Sequence, residues 1–569
     1  MPRVASSESP VAESIAEGLP VTRDDRLRHA RRVDWRFLLP SPDLRRVALG
    51  GMPDDALREA LQAVTGRPAT RLPTSILPGN AAPLGQFDTV VLSGRLARSE
   101  LVVAAGSVAV GGHLVVEIDG ALSPVVARHR GTAPGTVTRL VRTLAAGGFD
   151  VRSWWAWPTI QRATAFVPLG DRVAVRSLVA RRFGRRRLGV PVASALGRLA
   201  STSALTAFAP AVVLVARRGP SSAGFIERRV RPAVGAATVG AGSLLVLTPR
   251  YRASAHVVGL ALGPGGAVER VAKVARLRDD TSLEHEAAVL EALGRARGAS
   301  ASGPALLVAP GLATADGEDP WPILIETGLD GDPLDPATVR ADRARAVADI
   351  ERWLAGLPVG DAATRSLGVG PRLESALAAV ERLADGSAQG RQLGDLVERS
   401  RPLIASLALA SLPRVFEHGD PAHPNLLRMA GGRIGAVDWE RGEPDGLPLH
   451  DLTIALAYVA AAARDATSGP DQAAAFRAAM TGDDPWAVAA LDRAADLSGC
   501  DPVLRPALVV AAWVRSAGWL ADRLAGPGDG TVAGTVDDER QPAAGLTTWL
   551  AGDRSVALWA VALELAGAA

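Results

Sequence analysis

Lysine and cysteine are nearly absent from this chain of 569 residues. One lysine, Lys273, stands against 62 arginines, and Cys500 is the single cysteine. A lone cysteine excludes an intramolecular disulfide, and a reducing, cytoplasmic compartment is expected. The opening residues, MPRVASSESPVAESIAEG, hold no apolar stretch of the secretory kind. The longest apolar runs include LTAFAPAVVLVA (205–216) and ALVVAAWV (507–514). Both fall short of the ~18–20 residues that cross a bilayer, so they read as core strands or helices and no membrane span is expected.

What is present is material for large cores: 48% of the residues are hydrophobic, which argues against disorder. At about 150 residues per domain the length suggests three or four units. The net charge of +3 hides a split. Residues 1–240 carry 33 arginines against 17 acids, and the remainder carries 30 basic and 43 acidic residues. Opposite signs suggest two units that dock on each other. The basic run RRFGRRR (181–187) has no interleaved aromatics, so it reads as solvated helix or docking surface and no nucleic-acid partner is expected.

The lone lysine sits in VERVAKVARL (268–277), where Val271, Lys273 and Ala275 alternate with Ala272 and Val274 as on a two-faced strand. A second strand, HVVGLALG, precedes it across PGGA. Asp280, Thr281 and Ser282 are N-cap types and open a helix, LEHEAAVLEALGRA (283–296). Glu286 lies on that helix's apolar face and needs a buried partner, and Lys273 is the natural one. Glu284 and Glu291 lie off that face.

The segment VFEHGDPAHPNLLRMAGGRIGAVDWE (415–440) reads as a hairpin with polar groups at both ends of its strands. His418 and Asp420 come first, with Asn425 five residues after Asp420. A turn at 430–433 and a strand at 434–437 lead to Asp438. Phosphoryl transfer needs one carboxylate to face the attacking hydroxyl, and a second carboxylate with a carboxamide oxygen to hold Mg²⁺. Each of these residues alone would pass as a turn or cap residue.

HGDPAHPN followed by VDWE resembles the catalytic loop and metal-binding segment of the aminoglycoside phosphotransferase and choline kinase-like family. The resemblance spans about 240–569. It implies a bilobal protein-kinase-like fold, ATP and Mg²⁺ as cofactors, and a small-molecule hydroxyl acceptor. It implies Asp420 as the catalytic residue and Asn425 and Asp438 as metal ligands. Lys273, paired with Glu286, would grip the nucleotide. His418 and Asp451 would support the loop, although Asp451 could equally be a plain helix cap. The strand and turn WPILIETGLDGDPL (321–334) is similar to the family's hinge, with Ile325, Glu326, Thr327 and Gly328 as the adenine contact zone. Helices over 470–498, 504–525 and 545–567 would complete the C-lobe. One departure stands out: TPRYRASAHVV (248–258), where a phosphate-covering loop should lie, has no glycine. Arg252 or Ser254 would then touch phosphate.

In the N-terminal half, strands at 45–51, 87–94, 112–119 and 210–218 alternate with helical segments, which points to a doubly wound α/β sheet. Their order resembles class I S-adenosylmethionine-dependent methyltransferases over about 30–220, a Rossmann-like fold. The first loop, VALGGMPDDAL, lacks the family's acidic residue and Gly-x-Gly spacing, so a degenerate domain is expected. The fold class is therefore α/β plus α+β. Its parts are an extension (1–29), a methyltransferase-like domain (30–220), a linker (221–241), an N-lobe (242–328) and a C-lobe (329–569). The leading functional reading is an ATP-dependent phosphotransferase. A nucleotide-binding scaffold without turnover, or a working N-terminal methyltransferase, are its alternatives.

Overall fold

The structure is a computed structural model of the chain. It describes residues 23–73, 85–94, 97–119, 136–183, 211–233, 243–250, 254–297, 303–310, 321–358, 369–525 and 544–568. Arg252 lies outside them.

The N-terminal half begins with helix α1 (Arg23–Ala30) and a 3-10 segment (Arg31–Leu38), followed by β1 (Val47–Gly51) and α2 (Asp55–Thr65). Asp54 caps α2 by accepting from the Leu57 N–H, and Gly66 ends it at φ +69°, a conformation that favours glycine. Then come β2 (Thr70–Arg71), β3 (Phe87–Ser93), α3 (Arg98–Ser107), β4 (Val108–Asp119) and α4 (Thr136–Ala146). The half closes with β5 (Phe149–Trp157), β6 (Ala165–Pro168), α5 (Arg172–Phe183), β7 (Ala211–Arg218) and α6 (Phe225–Ala233). Strands β2, β1, β3 and β4 run parallel, and β7 inserts antiparallel between β4 and β5. The run AVVLVA of β7 is buried on both faces, as its unbroken apolar character demands.

The C-terminal half opens with β8 (Ser243–Leu247), β9 (His256–Leu262), β10 (Val268–Ala275), α7 (Ser282–Arg297), β11 (Leu306–Val308) and β12 (Ile323–Thr327). These five strands are antiparallel, in the order β8-β9-β10-β12-β11. They do not form a separate sheet. Strand β6 pairs with β8 through Ala165–Leu247 and Phe166–Val246, so twelve strands among the described residues make one sheet through both halves.

One face of this sheet carries a core shared by the two halves. Val33, Trp35, Phe166, Phe225, Ile226, Val257, Val274 and Ile325 belong to it. The stretch read as a linker thus holds α6, which buries Phe225, Ile226 and Val230 against the sheet. Its Gly- and Ser-rich flanks conceal an amphipathic helix, and tertiary burial overrides composition there.

After the sheet come β13 (Gly331–Pro333), α8 (Pro336–Ala341), α9 (Arg343–Ala355), α10 (Val369–Leu383) and α11 (Ala388–Leu409). The short strands β14 (Val415–Glu417), β15 (Leu426–Met429), β16 (Ile434–Ala436) and β17 (Glu443–Gly446) follow. Helices α12 (His450–Ala463), α13 (Gly469–Thr481), α14 (Trp486–Ser498), α15 (Arg505–Ala525), α16 (Ala544–Ala551) and α17 (Arg554–Ala568) complete the helical lobe. The hairpin expected over 415–440 is present as β15 and β16, turned by Gly431 and Gly432 at φ +79° and +76°. Residues Pro502–Ala525 are long and apolar enough to cross a membrane, yet 61% of their most apolar window is buried inside the protein.

Two buried ion-pair systems join the 3-10 segment to the sheet. Arg276 gives its guanidinium to both carboxylate oxygens of Asp34 (2.9–3.1 Å), to Ser254 and to the Pro249 carbonyl. At the other end, Glu117 accepts from Arg32 (2.7 and 2.8 Å), Trp35 (3.0 Å) and Ser93 (2.9 Å). Helix α1 adds Arg23–Asp280 and Arg26–Asp279 pairs to the start of α7.

Candidate active site

Lys273 projects from β10, and the strand's alternation sends it to the face opposite the shared core. Its ammonium lies 2.5 Å from a Glu286 oxygen and 2.7 Å from an Asp438 oxygen. The inward face of α7 carries Glu286, which is fully buried, while Glu284 is exposed. The Trp439 N–H donates to the same Glu286 oxygen (3.0 Å), which ties α7 to the segment after β16. Two carboxylates from separate elements thus converge on one ammonium.

The electrostatics follow from one cation facing several acids. Burial works against the charge on Lys273, but Asp438 and Glu286 outweigh it and hold its pKa well above the ordinary value. Asp438 is also penalised by burial, yet Lys273 brings its carboxyl down to about 2. Burial pushes Glu286 up to about 8 and Glu326 up to about 7, against the pull of Lys273. Asp438 has φ +70°, a strained conformation for a residue with a side chain, held by the surrounding bonds.

The loop after β14 carries His418, Gly419 and Asp420. Asp451 accepts the backbone N–H groups of His418 (2.6 Å) and Gly419 (2.9 Å). The helix start supplies no side-chain cap, and Asp451 spends its carboxylate on the loop, so support of the loop and not helix capping is what it does. Gly419 sits at φ +85°, and a Cβ there would come within 2.4 Å of the Arg441 carbonyl oxygen. Only glycine fits that crossing. Nδ1 of His418 accepts the Asp420 N–H (3.2 Å), which leaves Nε2 to donate to the Val437 carbonyl (2.9 Å). Both ring nitrogens are therefore occupied.

Asn425 donates from Nδ2 to the Asp420 carbonyl (3.1 Å), and its own carbonyl accepts the Val437 N–H (2.9 Å). That bond sets Asn425 beside the strand that leads to Asp438. The donation fixes the amide so that its side-chain oxygen remains an acceptor. An Asn oxygen and an Asp carboxylate form a hard, all-oxygen donor set that fits Mg²⁺.

The expected hinge is arranged otherwise than its sequence suggests. Ile325 points into the shared core. The Thr327 N–H donates to Ala305 and the Gly328 N–H to Glu269. A Cβ on Gly328 would lie 1.9 Å from the Val268 carbonyl oxygen, so glycine is required there for close packing. The Ser254 hydroxyl, expected to touch phosphate, accepts from Arg276.

Several groups had no signal in the sequence. Arg441 lies 3.6 Å from Asp420 and stacks 3.5 Å from the ring centre of Trp519. Arg523 stacks on the same indole and pairs with Glu440. Behind β14, Glu417, His450 and Asp451 form a buried cluster. Arg515 pairs with Glu417, and its positive charge beside these acids marks the cluster as an internal ion-pair network. A cavity of about 460 Å³, lined by Leu354, Leu357, Phe416, Leu449, Leu452 and Leu497, also lies behind β14 and away from Lys273.

Residues 253–491 match the model of the phosphotransferase enzyme family. This segment, less than half of the chain, is similar to that family. No curated protein matches the chain. Among solved structures it is similar to an ethanolamine kinase of Plasmodium vivax, at 10% identity over 58% of this chain and 85% of that one, with a TM-score of 0.36. A choline/ethanolamine kinase family protein of Mesorhizobium loti matches at 17% identity over 60% and 99%, with a TM-score of 0.34. A thermostable mutant of aminoglycoside phosphotransferase APH(4)-Ia, in complex with ADP and hygromycin B, matches at 12% identity over 59% and 98%, with a TM-score of 0.36.

Proposed function

We propose that the protein transfers the γ-phosphoryl group of ATP to a hydroxyl of a small molecule. The convergence of Lys273, Glu286 and Asp438 on one point carries this reading. Lys273 grips the nucleotide phosphates, and Glu286 holds its ammonium in place. Asn425 and Asp438 would hold Mg²⁺, which would neutralise charge on the phosphates. Asp420 faces the acceptor hydroxyl and orients it or takes its proton. His418 shapes the loop and has no free nitrogen to act as a base. A γ-phosphate transfer screen over hydroxylated metabolites tests the proposal, with Asp420→Asn as the control. Transfer by the wild type alone supports it. Equal signal from both proteins, or Mg-ATP binding without transfer to any acceptor, counts against it.

For residues 30–220 we infer a methyltransferase-like sheet that serves as a brace. Its parallel strands and the antiparallel insertion of β7 support the likeness. Arg32 and Trp35 of the 3-10 segment donate to Glu117 near the end of β4. The same half fastens the loop after β8: Thr248 and Arg250 donate to the Ala163 carbonyl, and Arg250 also to Arg31. Calorimetry of the full chain with S-adenosylmethionine tests the inference: no heat at high micromolar ligand is expected, and saturable binding would overturn it.

A further inference from the structure

The cavity behind β14 has no part in the transfer reaction proposed above. Lys273, Asp420, Asn425 and Asp438 are not among its lining residues. Its volume of about 460 Å³ falls in the range of small-molecule sites. Val415, Phe416 and Glu417 of β14 form one wall, and Leu354 of α9, Leu452 of α12 and Leu497 of α14 lie on others. Leu497 is 80% exposed and Glu417 is 1% exposed. The cavity thus runs from an apolar mouth to an acidic floor.

The floor holds an acceptor without a donor. Glu417 Oε2 accepts the Leu447 N–H (2.8 Å) and pairs with Arg515. Its Oε1 has no hydrogen-bond partner among the described residues. His450 Nδ1 lies 3.2 Å from that oxygen, but its hydrogen bond is with Asp451. Leaving a buried acceptor unmade is costly, so the oxygen calls for a donor. Glu286 and Glu326 also keep one oxygen without a hydrogen-bond partner, and neither lines this cavity. Glu417 does, together with Leu447 and Asp451, so a molecule in the cavity can bring a donor to it.

Charge narrows what that donor is. At the rim, Arg352 pairs with Asp349 and Arg493 with Glu351, and these charges cancel. At the floor Glu417 and Asp451 stand against Arg515, which leaves a surplus of negative charge while His450 is neutral. An anionic head would meet repulsion there, whereas an ammonium supplies both the missing donor and the missing charge.

We propose that this cavity is a binding site for a small apolar molecule that carries an ammonium group. The ammonium donates to Glu417 Oε1, and the apolar body packs against Leu354, Phe416, Leu452 and Leu497. The site adjoins the catalytic loop from behind. Glu417 directly precedes His418, and Asp451 holds the His418 and Gly419 N–H groups. Occupancy therefore braces that loop.

Isothermal calorimetry on the full chain tests this with n-octylammonium, n-octanol and n-octanoate, which share a body and differ in the head. Octylammonium is expected to bind saturably and about tenfold or more tighter than the alcohol, with octanoate weakest. Glu417→Gln is expected to bring ammonium and alcohol within about threefold. Ala494→Phe puts a ring on the cavity wall and leaves the floor intact, and it should weaken octylammonium about tenfold or more. Hydrogen exchange should slow in residues 415–420 and at the start of α12 when octylammonium binds. Should Glu417→Gln not fold, Ala494→Phe and the exchange pattern still decide. No saturable binding of octylammonium, or equal wild-type affinity for the alcohol, would overturn the assignment. So would a preference unchanged in Glu417→Gln, binding untouched by Ala494→Phe, or protection that appears only elsewhere.

Discussion

The carboxylate of Asp451 holds the backbone N–H groups of His418 and Gly419 at 2.6 and 2.9 Å, from 33 and 32 residues further along the chain. A helix start thereby sets the path of the loop that carries Asp420. Asp451→Ala would leave two buried N–H groups without an acceptor, and His450 without one of its partners. A loss of about 3 kcal/mol in urea unfolding is expected, since hydrogen bonds to charged groups contribute at that level. Transfer should fall further than nucleotide affinity, because the loop and not the Lys273 cluster is disturbed. Equal falls in both would show that Asp451 acts on general stability alone.

Asp420 and Asp438 should separate kinetically. Asp420→Asn is expected to lower kcat by about 10²–10⁴-fold with Mg-ATP binding retained, as for loss of a residue acting in proton transfer. Asp438→Asn is expected to weaken nucleotide binding in magnesium and to leave the magnesium-free affinity little changed. Titrations with and without the metal distinguish the two.

Lys273→Met removes the cation that faces Glu286, Glu326 and Asp438. Breaking a buried pair in this way costs about 3–5 kcal/mol. Lys273→Arg keeps the charge but puts a wide planar group between two acids that now approach to 2.5 and 2.7 Å. It should be the more stable of the two variants and still inactive in transfer. Recovery of activity in the arginine variant would show that charge alone suffices.

The two halves should unfold together. The β6–β8 pairing and the buried Arg276–Asp34 pair cross the junction. Asp34→Ala leaves a buried guanidinium uncompensated, at a cost of about 3–5 kcal/mol. Hydrogen exchange should rise both in the 3-10 segment and in β10. A rise confined to the N-terminal half would show that the sheet does not couple them.

Acid should destabilise the fold through His256. Burial, against the attraction of Glu440, pushes its pKa down to about 4, from 6.5 for the free side chain. Between those values the unfolded chain takes up a proton that the folded one refuses. The stability contributed by the neutral ring is therefore full above pH 6.5 and is lost as the pH falls toward 4. From pH 7 to 5 this amounts to about 2 kcal/mol. His256→Gln should flatten the pH dependence of urea midpoints by that amount, and an unchanged slope would refute the assignment.

Local pattern carried a good deal of this. The alternation around Lys273 placed it on a strand, and the apolar face of LEHEAAVLEALGRA picked Glu286 over Glu284, as burial in the structure agrees. The spacing of Asp420, Asn425 and Asp438 around a Gly-Gly turn gave the hairpin. The hinge was legible only as a strand. Which of its groups are free depends on partners at Ala305 and Glu269, which no short-range pattern records. The helix at 225–233 was masked by its flanks, because composition averages over neighbours while burial acts residue by residue.

By itself the sequence determined the elements and the order of chemical groups along the chain, since periodicity, caps and turns act within a few residues. Only the tertiary structure decided that β6 continues into β8, that Asp34 finds Arg276, and that Asp438 meets Lys273. Those facts depend on which surfaces meet between segments far apart in the chain. The free energy of burying and pairing them belongs to the assembled core and to no single segment.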